Sequence, residues 1–488
     1  MTAPPDNNAP TIFVAFGATG DLMHRKVIPA LYYLYTRGRL SERFCIMGFS
    51  RRDWSDKEFR EYVRSIIEKR VGSKLPDEHV ASFISLFKFQ KGEFTNTESY
   101  EALERAFAEF DKEWNCCANK LFYLAVAPEY YKTIVGHLAS SGLSGPRVLK
   151  EGDGWTHIIV EKPFGMDLET AKEIDELVGQ LFQEQQIYRI DHYLAKEMLQ
   201  NILTFRFSNN LFEIPWGRKF IESISIRLLE RIGVENRGPF YDGVGALRDV
   251  GQNHLLQMLA LVTMEHPEAY RATAIQKKRS DILERLRIIP SKDMKKATFR
   301  AQYKGYREIP GVASESDTET YFKIRAGLDD PKWEGVPIVM ESGKRLGEPL
   351  KEIVVTFKHP SPCLCPEGGE HHKNEVIFRM EPREEILIEF WTKKPGFTFE
   401  TERRELRYMM RDQSDHVPYV EEYAKLLLDC ILSDRTLFIS TDEIRAMWRF
   451  TDPIVAAWRK GRVPLSMYEP DTREPSEDSE FIEELNIS

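Results

Sequence analysis

The chain has 488 residues, of which 42% are hydrophobic and 11% aromatic, with 68 Lys+Arg against 77 Asp+Glu for a formal charge of −9. At about 150 residues per domain this predicts two to four domains, each with enough apolar content for a packed core, and excludes disorder for the bulk of the chain. The acidic balance excludes a general nucleic-acid or anionic-membrane binder, because surplus Lys/Arg holds such partners.

Residues 1–10, rich in Pro and Asn, predict a disordered N-terminus without the basic and apolar regions of a signal peptide. No uncharged apolar run of about 18 residues follows, so no membrane span is expected. The six cysteines form no disulfide framework, which predicts a cytoplasmic protein in a reducing compartment.

Ile12-Phe13-Val14-Ala15-Phe16 is a continuous apolar strand signal, followed by Gly17-Ala18-Thr19-Gly20 and a helix with Leu22, Val27, Leu31 and Leu34 at helical spacing. Phe44–Phe49, Leu121–Val126, His157–Val160 and Gln186–Ile190 are further buried-strand signals, separated by helix-like stretches such as 98–112 and 167–183. The alternation predicts a doubly wound, Rossmann-type parallel sheet over residues 11–190. Residues 191–468 read differently: Ser223–Leu228, Tyr321–Ile324, Ile353–Phe357 and Glu385–Phe390 alternate polar and apolar. They predict an α+β domain with a large, mainly antiparallel sheet, on which helices at 244–264 and 419–432 pack. Residues 469–488 hold eight acids and one arginine, a tail predicted to be disordered or loosely docked, which leaves only −2 on the body.

Four segments carry candidate chemistry. Gly17-Ala18-Thr19-Gly20-Asp21-Leu22 allows a tight strand-to-helix turn and close approach of a pyrophosphate to a helix N-terminus, although any such turn can hold two glycines. Arg51-Arg52 ends the second strand where an NAD site usually has an acid, which suits a 2′-phosphate and hence NADP. Glu161-Lys162-Pro163-Phe164-Gly165 puts Lys162 at a strand's carboxyl end, either as a ligand-facing cation or in a plain terminating turn. A helix starting near Asp191 would align His192 and Lys196 beside Tyr193 as phosphate donors; alternatively Asp191 is an N-cap on a solvated face. His254, in the apolar run from Leu247 to Leu259, is suited to accept a proton near neutral pH or to sit satisfied in a core.

Together the strings G-A-T-G-D-L, E-K-P-F-G, R-I-D-H-Y-L-x-K-E and R-D-x-x-Q-N-H-L-L-Q-M-L resemble the glucose-6-phosphate dehydrogenase family, over residues 12 to about 465. The resemblance implies oxidation of D-glucose 6-phosphate at C1 to 6-phospho-D-glucono-1,5-lactone with hydride transfer to NADP. It assigns His254 as general base and Asp191 as the acid that orients it. His192, Tyr193 and Lys196 match the substrate-phosphate site, and Glu230, Asp249 and Lys344 further substrate contacts. Lys162 matches a lysine between substrate and coenzyme; Gly17, Ala18, Thr19, Gly20, Asp21, Leu22, Arg51, Glu93, Phe94 and Tyr131 match coenzyme contacts. It also implies a homodimer or homotetramer built across the large sheet.

The chain departs from the family pattern at several positions. Ala195 replaces a glycine, Pro349 stands where a Lys or Arg is usual, with Arg345 or Lys351 as substitutes, and Glu381 stands for a glutamine. Glu341, Val354 and Glu389 lack the cations expected of a second, structural NADP site, so only the catalytic NADP is expected. Cys363, Cys365, His371 and His372 have metal-ligand chemistry, but their Pro/Gly-rich setting predicts a surface turn and no metal. Two other readings are a dehydrogenase of unphosphorylated sugars, which the His192/Tyr193/Lys196 cluster opposes, and a catalytically silent regulatory homologue, which His254 with Asp191 opposes.

Overall fold

The structure, a computed structural model, describes residues 9–71, 77–144, 154–362, 372–410, 421–473 and 475. It divides into two compact units: Met1–Ala195 with Arg271–Thr273 and Tyr419–Thr441, and Lys196–Tyr270 with Ala274–Pro418 and Asp442–Ser488.

In the first unit, strands β1 (Thr11–Phe16), β2 (Phe44–Ser50), β3 (Phe87–Lys91), β4 (Asn119–Leu124), β5 (Thr156–Val160) and β6 (Ile187–Ile190) pair in parallel in the order β6-β5-β4-β1-β2-β3. β1 and β2 are buried along their whole length, which is why their sequences are continuous apolar runs without alternation. Helices including α1 (Ile28–Thr36), α2 (Asp56–Val71), α3 (Asp77–Ser85), α4 (Thr97–Trp114), α5 (Tyr131–Ser140) and α6 (Leu168–Gly179) connect the strands. Asn96 caps α4 by accepting the Glu98 N–H, and Asp167 with Thr170 forms a capping box on α6.

The structure differs from a single division at residue 190. The Phe438–Ile439 strand pairs antiparallel with β6, and the Glu422–Ile431 helix packs on α1. The helix expected over 419–432 therefore covers the parallel sheet's unit, not the antiparallel sheet. Its buried Tyr423, Ala424, Leu426, Leu427 and Cys430 mark a packed face, but helical period alone does not name the partner.

In the second unit, β7 (Ile221–Leu229), β8 (Thr298–Tyr303), β9 (Tyr321–Ala326), β10 (Ile338–Gly343), β11 (Leu350–Phe357), β12 (Glu375–Glu381), β13 (Glu385–Lys393), β14 (Thr401–Met409) and β15 (Leu465–Tyr468) form one mixed sheet. Its order is β14-β13-β12-β11-β7-β10-β9-β8-β15, antiparallel except for the parallel pairs β7/β10 and β8/β15. The parallel pair β7/β10 brings residues 230 and 344, both expected substrate contacts, to the same end of the sheet: Leu229 and Gly343 are partners.

The first residues of the acidic tail are docked. Thr472 bridges Leu346, and the Asp471 N–H donates to the Arg345 carbonyl at 2.7 Å. Residues 476–488 and the Cys363/Cys365/His371 group lie outside the described residues. Among the described residues no helix is long and apolar enough to cross a membrane.

Candidate active site

Gly17 leaves β1 at φ +82°, and a Cβ there would lie 2.5 Å from the Ala125 carbonyl oxygen, so this position admits only glycine without strain. The Gly20 N–H donates back to Gly17 at 2.9 Å, and the chain enters a helix whose first full turns, Met23–Val27, are π-helical. This turn, together with the ends of β2, β3 and β4, walls a cavity of about 610 Å³, a size that suits a small ligand. Gly17, Thr19, Gly20, Arg51, Glu93 and Phe94, all expected coenzyme contacts, line it.

Four other expected contacts do not line the cavity. Ala18 is buried, its methyl 3.0 Å from where a Gly48 Cβ would be. Asp21 is exposed and pairs with Arg25 at 3.5 Å, and Leu22 is half-buried. Tyr131 is buried, donating its hydroxyl to the Glu161 carbonyl at 3.2 Å; its neighbour Tyr130 lines the cavity instead. Arg52, read with Arg51 as suiting a 2′-phosphate, also lines it, as do Ser50 and Thr95, which were not singled out from the sequence. The chemistry of this wall, glycine backbone at a helix start and two arginines against one glutamate, fits a dinucleotide with an additional phosphate.

Glu161 follows β5, and the Lys162–Pro163 peptide is cis. The Tyr123 hydroxyl donates to Glu161 Oε1 at 2.5 Å. Beyond β6, the expected helix at Asp191 is replaced by a turn. Asp191, 1% exposed, accepts the Tyr193 N–H at 2.9 Å, and its carbonyl accepts the Leu194 N–H at 3.1 Å. This side-chain-to-backbone bond competes with helix at Asp residues, and α7 (Glu197–Phe207) begins only after Lys196. His192 lies 5.0 Å, ring to ring, from Tyr193 and 6.5 Å from Tyr423. Ala195 has no positive φ, so its methyl in place of hydrogen brings no backbone strain.

In the second unit, His254 is 3% exposed on Leu247–Leu255, which is π-helical before an α-helix Leu256–Thr263. A continuous α-helix was expected; wide i→i+5 turns of this kind recur at functional sites. Glu319 starts this helix by accepting the Leu247 N–H at 3.0 Å, and burial holds its carboxyl above the ordinary range. Gly245, at φ +77°, is required there because a Cβ would lie 2.3 Å from Glu319 Oε1. One turn past His254, Gln257 donates to Glu443 at 3.2 Å, and Glu443 forms a fully buried pair with Arg279 at 2.8 Å.

Lys344 Nζ lies 2.5 Å from Glu230 Oε2 and 4.0 Å from Asp249 Oδ2, and Asp249 in turn faces Arg237 at 3.6 Å. The three predicted substrate contacts Glu230, Asp249 and Lys344 thus meet at one sheet edge. The Tyr241 ring sits 5.6 Å below Lys344 Nζ, and its buried hydroxyl has no hydrogen-bond partner among the described residues. Tyr241 was missed because a buried tyrosine reads as core in sequence; its only signal was a place between Glu230 and Asp249. Of the two proposed substitutes for the missing cation at Pro349, Lys351 is committed to Glu381 at 2.7 Å. That pair also accounts for a glutamate where glutamine is usual.

Residues 14–201 match the family described as glucose-6-phosphate dehydrogenase, NAD binding domain, and residues 203–487 match glucose-6-phosphate dehydrogenase, C-terminal domain. A glucose-6-phosphate 1-dehydrogenase of Aggregatibacter actinomycetemcomitans is 40% identical over 453 residues, covering 91% of this chain and 90% of the relative. One of Bacillus subtilis is 35% identical over 483 residues, covering 96% of each. A solved glucose-6-phosphate dehydrogenase in complex with glucose 6-phosphate superposes with a TM-score of 0.89 at 31% identity, covering 98% of this chain and 97% of that one. The Mycobacterium avium enzyme superposes with a TM-score of 0.82 at 30% identity, covering 96% of each chain.

Proposed function

The chain belongs to the glucose-6-phosphate dehydrogenase family, and on that premise we propose the residues by which it works. It oxidises D-glucose 6-phosphate at C1 to the 1,5-lactone, using a nicotinamide dinucleotide. The bound dinucleotide supplies the acceptor for the hydride that leaves C1. Gly17, Thr19 and Gly20 hold its pyrophosphate, and Arg51 with Arg52 selects the 2′-phosphate, which makes NADP the preferred coenzyme.

His254 accepts the proton of the C1 hydroxyl while the O–H electron pair becomes the second C1–O bond and hydride departs. Burial at 3% exposure keeps that proton transfer away from bulk water. Asp191 is assigned the role of orienting the imidazole and stabilising its protonated form. His192, Tyr193 and Lys196 take the phosphate, and Lys162 a position between sugar and coenzyme. Glu230, Asp249 and Lys344 take sugar hydroxyls, with the Tyr241 hydroxyl available as a further donor.

The observation that carries this assignment is the Lys344 ammonium held between Glu230 and Asp249 at the β7/β10 edge. Two carboxylates and a cation at one point suit a polyhydroxylated anion. A steady-state assay of NADPH formation with glucose 6-phosphate and with glucose, each against NADP and NAD, tests it. Equal rates with glucose would refute the phosphate assignment, and equal kcat/KM for NAD would refute the role of Arg51.

One coenzyme per chain is expected. Glu341 accepts from the Tyr321 hydroxyl at 2.6 Å and Glu389 pairs with Arg403, so neither offers positive charge for a second dinucleotide. A homodimer or homotetramer is expected across the large sheet, supported by exposed Phe397, Phe399, Leu406 and Tyr408 on and beside β14. Analytical ultracentrifugation giving a monomer at micromolar concentration would refute it.

A further inference from the structure

Behind Lys162 lies a group of polar side chains that the reaction as written does not use. The Glu161 carboxyl accepts the Tyr123 hydroxyl of β4 at 2.5 Å, the Tyr423 hydroxyl of the Glu422–Ile431 helix, and the backbone N–H of Lys162. Its own carbonyl accepts the Tyr131 hydroxyl of α5 at 3.2 Å. Three elements thus close on the residue before Lys162. Tyr423 is 8% exposed, its ring 6.5 Å from that of His192 at an interplanar angle of 22°, and Lys26 Nζ lies 5.7 Å from the same ring.

We propose that Glu161 is the positioning residue of Lys162: clasped between Tyr123 and Tyr423, its carboxyl fixes the backbone from which that lysine projects, and Tyr423 ties the same clasp to His192. The proposal rests on the reaction assigned above. The structural logic is that a lysine at a strand end carries a long flexible stem, and holding its main chain from three sides restricts where the ammonium can be. The segment that supplies Tyr423 is the one that returns to this unit from more than 200 residues downstream of Lys162.

The clasp has a protonation state. Burial raises the Glu161 carboxyl to about 7, against the opposing pull of the two phenols, the Lys162 charge and the Lys162 N–H. The other groups facing it are Tyr131 from α5 and Cys430, with Asp191 and Glu421 acting on Tyr423. All three donors favour the ionised carboxyl. The clasp therefore tightens as pH rises through 7, and kcat/KM gains an ascending limb there that belongs to Glu161.

The test is the pH profile of kcat/KM for glucose 6-phosphate in the full-length chain, for wild type, Glu161→Gln and Tyr423→Phe. Glu161→Gln should lower kcat about ten- to a hundredfold, the scale of a misplaced reacting group, and abolish the limb near 7. Tyr423→Phe should keep the limb but move it up by about one pH unit, because the ionised carboxyl loses a donor. A merely structural role would lower the melting temperature and leave the profile unchanged, which overturns the proposal. If Glu161→Gln does not fold, Tyr423→Phe decides: a limb that stays in place overturns it, one that moves up supports it. Wild-type chain without activity overturns the reaction assignment and the clasp together, whereas an active wild type with two variants that match it overturns the clasp alone.

Discussion

Replacing Lys344 by Ala is the sharpest test of the substrate edge. The main chain there is anchored independently of the side chain: the Lys344 N–H donates to the Thr320 carbonyl at 3.0 Å and its carbonyl accepts the Tyr468 hydroxyl at 2.6 Å. Truncation therefore removes the ammonium without releasing the strand end. In the reaction, a hydrogen bond from a cation to a charged or polar ligand contributes about 1.5–3 kcal/mol, which at about 1.4 kcal/mol per decade is a loss of roughly 10- to 100-fold in kcat/KM. Stability should fall as well, since Asp249 and Glu230 lose the cation between them. Removing one partner of a fully buried pair costs about 3–5 kcal/mol; the Glu230 side chain is 31% exposed, so water screens part of the loss and about 1–3 kcal/mol is expected. Steady-state kinetics with glucose 6-phosphate varied, then NADP varied, separate the effects, and Lys344→Met controls for lost volume. A kcat/KM within threefold of wild type, or an effect confined to NADP, would show that Lys344 does not contact the sugar phosphate.

His254→Asn should lower kcat by at least about 10²-fold with little change in KM, the signature of a lost base; full activity would exclude it. Arg51→Ala should raise KM for NADP by about tenfold or more while leaving NAD unchanged, as for a lost charge-assisted bond to the 2′-phosphate; parallel shifts for both coenzymes would count against that contact. His157, 6% exposed and stacked on Trp155 at 3.9 Å, is held neutral by burial, with its pKa lowered to about 3. Since its folded pKa lies below the unfolded value of about 6.5, its contribution is complete above pH 6.5 and is lost on acidification from there toward 3. Thermal melts of His157→Phe should therefore lose up to about 1.4 kcal/mol per pH unit of the wild type's acid dependence in that window; an unchanged dependence would mean the imidazole titrates freely.

What could be read in the sequence follows from which physical signals are local. Five strands of the parallel sheet were legible because strands buried on both faces are uninterrupted apolar runs, and the large sheet because Ile224, Ile226 and Leu228 alternate with Ser and Arg. The glycine turn and Lys162 were legible because a small or charged residue directly after such a strand falls at a carboxyl end. The return of Phe438–Ile439 to β6 was not legible: two residues carry no periodicity, and pairing choice is a long-range matter. Nor was the π-helical register around His254, since apolar spacing records a face and not whether the N–H bonds reach four or five residues back. The same limit explains the turn at Asp191, where one side-chain bond to the Tyr193 N–H outweighs a helical pattern.

Glu161, Tyr123 and Tyr423 make a stricter case. Each is unremarkable alone: a carboxylate after a strand and two tyrosines with apolar neighbours. Their chemistry exists only because the sheet places β4 beside β5 and because the Glu422–Ile431 helix belongs to the first unit. Glu161 with Tyr423, Glu319 with Leu247, and Glu443 with Gln257 are three buried polar contacts between residues far apart in the chain, which no local pattern announces.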